Sequence, residues 1–142
     1  MRRIHLFAGT AMLALTLAAC GDDATVTDGT TVAVELSDYV ISTSPASAAA
    51  GTVTFELENT ANQVHEFVVV ATSLGADELP VGDDGDVDEE GATDIEVVDE
   101  VEDVEGGGTA TLTVDLDAGN YVLFCNLPGH YAQGMATGFQ VT

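Results

Sequence analysis

The stretch T-A-T-L-T-V-D-L-D-A-G-N-Y-V-L-F-C, residues 109 to 125, changes rhythm halfway along. In its first half Ala110, Leu112, Val114 and Leu116 alternate with Thr109, Thr111, Thr113 and Asp115. Side chains of a strand point alternately to its two faces, so this pattern buries one face and leaves the other, rich in threonine, in water. An amphipathic helix would instead bring apolar residues back after three or four positions. Ala118-Gly119-Asn120 then reads as a turn. Beyond it Tyr121 to Cys125 is densely apolar, as in a more central strand. Tyr121 is placed like the tyrosine of a Greek-key corner, whose hydroxyl bonds back to nearby backbone, and equally like an ordinary half-buried strand tyrosine.

The same period of two extends outward. Val32, Val34 and Leu36 alternate with Ala33 and Glu35, and Val53, Phe55 and Leu57 alternate with Thr52, Thr54, Glu56 and Glu58. Val64 to Ala71 and Gly138 to Val141 are denser and read as further central strands. Turn signals separate them at Ser44-Pro45, Ala50-Gly51, Glu58-Asn59 and Gly106-Gly107-Gly108. Some seven short strands in 142 residues predict an all-β protein, a single Greek-key β-sandwich.

Residues 73–105 break the rhythm and hold fifteen of the twenty-five Asp and Glu, so they read as an acidic, solvated insertion before the last strands. D-D-G-D-V-D-E-E, residues 83–90, invites a calcium reading, but counted from Asp84 the sixth position is Glu89 rather than glycine and the twelfth is Ile95 rather than Glu. Ile95, Val98, Val101 and Val104 recur every third residue, which fits a short strand or a helical turn.

The first twenty residues are of another kind. Met1-Arg2-Arg3 is basic, Ile4 to Leu17 is mostly apolar, and Leu17-Ala18-Ala19-Cys20 puts small residues before a cysteine. This is the pattern of a secretory signal over 1–19, too short to be a spanning helix. L-A-A-C also resembles the bacterial lipobox, which implies acylation of Cys20, and the small polar residues 20–30 read as a flexible tether to a domain over 31–142. Removal of 1–19 takes away both arginines, leaving twenty-five acids, no Lys or Arg and a formal charge of −25. Without cations to neutralise phosphate, nucleic-acid binding is excluded. Membrane contact is expected only through the lipid, on the outer side of the cell membrane. Cys125 is then a lone thiol in an exported protein, where free thiols tend to be oxidised, so it calls for burial, pairing or a metal.

With the leader removed and Cys20 acylated, the soft or borderline ligands left are few: Cys125, His65, His130 and Met135. Three of them lie in F-C-N-L-P-G-H-Y-A-Q-G-M, residues 124–135, where Pro128-Gly129 forces a bend. His65 opens the apolar strand V-H-E-F-V-V-V, and strands distant in sequence bring their ends together at one pole of a sandwich. Thiolate and thioether favour Cu(I), imidazole also satisfies Cu(II), and two histidines and a cysteine in a plane with a weak axial methionine make a blue-copper electron-transfer site.

The spacing Cys-x4-His-x4-Met, with an upstream histidine after an Asn-containing loop, resembles the cupredoxin family over roughly residues 31–72 and 109–142. The resemblance implies a cupredoxin-like sandwich holding one copper ion, with His65, Cys125 and His130 equatorial and Met135 axial. It also implies that electrons pass through the edge of His130, with Leu127, Pro128, Tyr131 and Met135 as an apolar docking surface. Several family members carry Asn after the first histidine, where this chain has Glu66, which faces either the site or solvent. The function so implied is a lipid-anchored electron carrier between extracytoplasmic redox proteins, such as a cytochrome or an oxidase; copper storage or delivery without a redox partner is the alternative. The charge reads either as steering toward a basic partner or as a device for solubility in salt. An enzymatic role does not fit, because multicopper oxidases and nitrite reductases need several more histidines and a binuclear centre needs a second cysteine in the loop.

Overall fold

The computed structural model describes residues 29–142. The expected signal over 1–19, the lipidation site Cys20 and most of the 20–30 tether lie outside those residues. Nine strands form: β1 (Thr30–Ser37), β2 (Val40–Ser44), β3 (Ser47–Ala48), β4 (Gly51–Asn59), β5 (His65–Thr72), β6 (Ile95–Val104), β7 (Thr109–Leu116), β8 (Gly119–Phe124) and β9 (Ala136–Val141). They make two sheets, a four-stranded one in the order β2-β1-β4-β7 and a five-stranded one in the order β3-β9-β8-β5-β6. β1 pairs parallel with β4, and β3 with β9; the remaining pairs are antiparallel. The expected sandwich is therefore the observed fold.

The alternation in β1, β4 and β7 has the predicted cause. Val32, Val34, Leu36, Val53, Phe55, Leu57, Leu112, Val114 and Leu116 are buried in the main core. The opposite face is wet and polar, with Thr54 and Thr113 hydroxyls 3.1 Å apart and Thr52 donating to Asp115 at 2.7 Å. Phe55 reaches across the sandwich, with its ring 5.3 Å from that of Phe67 and 5.5 Å from that of Phe139. The Tyr121 hydroxyl donates to the Asp117 carbonyl at 2.9 Å, so of the two readings of this tyrosine the corner is the one the chain adopts.

β5 and β8 are dense because both of their faces are covered. Phe67, Val69, Tyr121 and Leu123 face the main core, while Val68, Val70, Val122 and Phe124 belong to a second cluster with Leu79, Val87, Ile95 and Tyr131. Leu79 and Val87 come from the acidic stretch between β5 and β6. That stretch is thus only partly a solvated insertion: residues 74–92 carry the apolar cover of the five-stranded sheet, and Ile95–Val104 is its edge strand β6. Of the two readings of the three-residue recurrence, the strand is correct. Register shifts between His65 and Phe67 and between Val69 and Val70 displace the pairing, so the inward positions of β6 do not follow a period of two.

Candidate metal centre

The loop that opens the site begins at Asn59, the last residue of β4. Asn59 is fully buried and its amide is fully used: Nδ2 donates to the carbonyls of Gln63 (2.8 Å) and Val104 (2.7 Å), and Oδ1 accepts the Ala61 N–H at 3.0 Å. This ties the 59–64 loop to the end of β6 and delivers His65 at the start of β5. Gly106 has to be glycine here, because a Cβ would lie 2.7 Å from the Asn62 carbonyl group. The second ligand segment leaves β8 at Cys125 and returns at Met135, just ahead of β9. Its ends are paired by the Cys125 N–H and the Met135 carbonyl at 3.1 Å. Between them Gly129 takes φ +77°, a backbone conformation that suits glycine, and a 3-10 turn runs over Tyr131–Gln133. The His130 carbonyl accepts from the Gln133 and Met135 amides at 3.1 and 3.2 Å.

These two segments bring three donors together. His65 Nδ1 and His130 Nδ1 are 3.2 Å apart, Cys125 Sγ lies 3.3 Å from His130 Nδ1, and it lies 3.9 Å from His65 Nδ1. The point equidistant from the three lies about 2 Å from each, close to the roughly 2.0–2.1 Å of an imidazole–metal bond. One ion at that point would accept all three lone pairs at once. His65, Cys125 and Met135 are fully buried, and His130 is half-buried.

The electrostatics point the same way. Burial, then the neighbouring His130, holds the His65 imidazole below its ordinary range, against a smaller opposing pull from Asp38. A neutral ring is the form that binds a metal. Burial pushes the Cys125 thiol up, although backbone N–H groups of Glu66 and Leu127 pull it partly back. The Glu66 N–H points at the sulfur at 3.3 Å. A buried thiol of this kind ionises when a cation binds it, and that N–H then stabilises the thiolate. His65 Nε2 is buried without a hydrogen-bond partner, so the ring is positioned by its packing and by the donor set that Nδ1 faces.

Every sequence-predicted ligand sits in this region, but the docking surface needs correction. Tyr131 is buried, its ring edge-on to Phe124 at 6.0 Å and its hydroxyl accepting the Leu79 N–H at 2.9 Å. It belongs to the second core, and Met135 to the first; the apolar surface left beside His130 is half-buried Leu127 and exposed Pro128. Glu66 faces neither the donors nor open water. Its carboxylate is half-buried beside Glu100 and Glu102 and accepts the Asn126 N–H. Burial first, then Glu89 and Glu100, raises it to about 7. The carboxylates of 83–90 do not gather for calcium: Asp84 accepts from the Asp86 N–H, Asp86 from Gly129, and Asp88 from Gly91.

Three residues escaped the sequence reading. Tyr39 stands edge-on to the His130 ring, with centroids 5.3 Å apart and planes at 87°. Asn59 was visible only as a turn signal. Asn126, next to the cysteine, has its side chain bonded to Val87 and Glu89.

The sequence matches a family described as the cupredoxin-like domain over residues 9–137. In structure the chain is similar to the dithionite-reduced auracyanin of the photosynthetic bacterium Roseiflexus castenholzii. Identity is 24%, the TM-score is 0.59, and the match covers 80% of this chain and 97% of that one. It is similar to an azurin of the methylotroph Methylomonas sp. strain J at 20% identity and TM-score 0.56, over 80% of this chain and 98% of that one. It is also similar to auracyanin A, a "blue" copper protein of Chloroflexus aurantiacus, at 21% identity and TM-score 0.53, over 79% and 99%. At these identities the structural likeness is one of fold. No curated protein matches the chain significantly. On this fold His65, Cys125, His130 and Met135 are arranged as a single type 1 copper site.

Proposed function

Because the chain belongs to the cupredoxin-like family, we propose that it is a small electron carrier with one copper ion, working between redox proteins outside the cytoplasmic membrane and tied to that membrane by a lipid on Cys20. The observation that carries this reading is the triangle of Cys125 Sγ and the two Nδ1 atoms, assembled from strands sixty positions apart in sequence. Copper there supplies a one-electron couple acceptable to thiolate, imidazole and thioether together.

The protein's own residues do the rest. The buried loop ends at Cys125 and Met135 exclude water from the donors. The paired backbone of the loop and the Asn59 anchor hold the donor atoms in place through a change of charge, so little rearrangement accompanies an electron. His130 is the one donor residue of the four with solvent exposure, and it offers the path to a partner. Leu127 and Pro128 beside it make a small apolar contact of the kind that suits brief redox encounters. We read the chain as a carrier and not an enzyme: after the leader it has only two imidazoles, and both face the same thiol.

Cu(II) added to the purified chain should give an intense visible charge-transfer band and the narrow EPR hyperfine splitting of a copper–thiolate bond. Both should vanish in Cys125→Ser. A colourless product with copper held only by carboxylates would end the proposal. Rapid electron self-exchange supports the carrier; slow exchange with ready loss of Cu(I) to a chelator would mean storage. Labelled fatty acid incorporated by cells expressing the full chain, and lost in Cys20→Ser, tests the anchor.

A further inference from the structure

We infer that residues 79–89 are a strap that holds the ligand loop in shape, with Asn126 and Asp86 as its positioning residues. This inference deepens the copper reading and rests on it for its purpose, though not for its geometry. The segment is a small hairpin: Val81 and Val87 form a β-bridge, the Gly82 N–H donates to the Asp86 carbonyl at 2.9 Å, and the Asp88 N–H donates to the Pro80 carbonyl at 2.9 Å. Leu79 and Val87 seat it on the outer face of the five-stranded sheet, against Phe124 and Tyr131.

From that seat it grips the loop at three places. Asn126 Oδ1 accepts the Val87 N–H at 2.7 Å, and Asn126 Nδ2 donates to the Val87 carbonyl at 3.0 Å. The side-chain amide thus pairs with Val87 as a neighbouring strand would, satisfying both backbone groups of one residue. Nδ2 also donates to Glu89 Oε1 at 2.6 Å, which uses the amide's remaining hydrogen. Further along, Asp86 Oδ1 accepts the Gly129 N–H at 2.8 Å, and the Tyr131 hydroxyl accepts the Leu79 N–H at 2.9 Å. The loop is therefore divided by position. Residues 125, 130 and 135 carry the donors, and residues 126, 129 and 131 are held by the strap. Each strap contact lies one residue from Cys125 or His130. A loop fixed on its far side in this way keeps one donor geometry whichever charge the ion carries.

The test uses the whole chain and four variants. Asn126→Ala and Asp86→Ala remove strap contacts. Asp86→Asn keeps an acceptor for Gly129, and Thr72→Val removes the hydroxyl that bonds the Asp94 carbonyl at the opposite end of the insertion. In the metal-free protein the Gly129 and Val87 amides should be protected from hydrogen exchange, and the alanine variants should free them roughly two- to tenfold. With copper, the alanine variants should shift the charge-transfer band and hyperfine splitting and speed Cu(I) extraction by a chelator by a similar factor. Asp86→Asn and Thr72→Val should stay near wild type. Wild-type amides that exchange as freely as the Asn126→Ala ones would overturn the strap, whether or not the protein is blue. So would copper spectra unmoved by the alanine variants, or moved equally by Thr72→Val. A wild-type protein that forms no blue site but shows the protected amides would instead remove the copper reading and leave the strap standing.

Discussion

Asn59 and Glu89 show how a single side chain is judged by what its buried atoms meet. Asn59 satisfies two carbonyls and one amide at full burial. Asn59→Ala leaves those groups without partners and should cost about 2–3 kcal/mol of stability, read from the urea midpoint of the metal-free chain. Asn59→Asp should cost more, because it loses both donors and buries a charge. Glu89 is half-buried near Glu66, Glu90 and Glu100. Burial raises its carboxyl, the Asn126 amide pulls it down, and Glu100 and Glu90 raise it again; the net direction is up. The folded chain then holds a proton more tightly than the unfolded chain. The stability this confers is fully present below the usual carboxylate range and is lost as pH rises through the folded value. Stability of the metal-free protein should therefore fall as pH rises above the usual carboxylate range. Glu89→Gln should flatten that fall, and Glu58→Gln, on an exposed strand position, should leave it unchanged. An identical pH slope in both variants would show that the cluster around Asn126 is not where the proton is held.

Among the elements, the segment between β5 and β6 has the largest structural effect that its composition hides. Replacing residues 76–92 with a short glycine–serine linker removes Leu79 and Val87 and uncovers Val68, Val70, Val122 and Phe124. Burial of two such aliphatic side chains is worth about 3–6 kcal/mol. The variant should therefore unfold at lower urea, bind a hydrophobic dye and aggregate; a variant as soluble and stable as wild type would make the segment dispensable. The strands that were legible in the sequence are those with one wet face, where buried apolar residues take every second position in β1, β4 and β7 and mostly Thr, Glu or Asp stand between them. β6 was not legible as a strand because it lies at a sheet edge with only Ile95 and Val104 fully covered and Val101 half-buried, and the shifted register of β5 breaks their spacing. The four ligands stood out because residues 29–142 contain no other cysteine, histidine or methionine. The strap did not, since Asn126 and Asp86 are ordinary loop residues, and the bonds of Asn126 to Val87 and Glu89 and of Asp86 to Gly129 depend on how two segments some forty positions apart are packed. Tyr131 misled for the same reason: beside a ligand it looked like surface, and only the Leu79 cover shows why it is buried.

At the scale of the molecule the dominant quantity is charge. Residues 29–142 contain no lysine or arginine, so raising salt has no lysine or arginine ion pair to weaken and can only screen repulsion among carboxylates. Thermal stability should rise steadily from about 10 mM to about 1 M NaCl, as the screening length shortens from about 30 Å to about 3 Å. That dependence follows whether the acids serve solubility or recognition, so stability alone does not separate the two. The rate of electron transfer does. If the acids steer a basic partner toward His130, the rate with a cationic cytochrome should drop at least about tenfold over that salt range, while the rate with a small neutral reagent stays level. Both rates level, with stability still rising, would mean that the carboxylates keep the domain soluble and leave the choice of partner to the small apolar contact at Leu127 and Pro128.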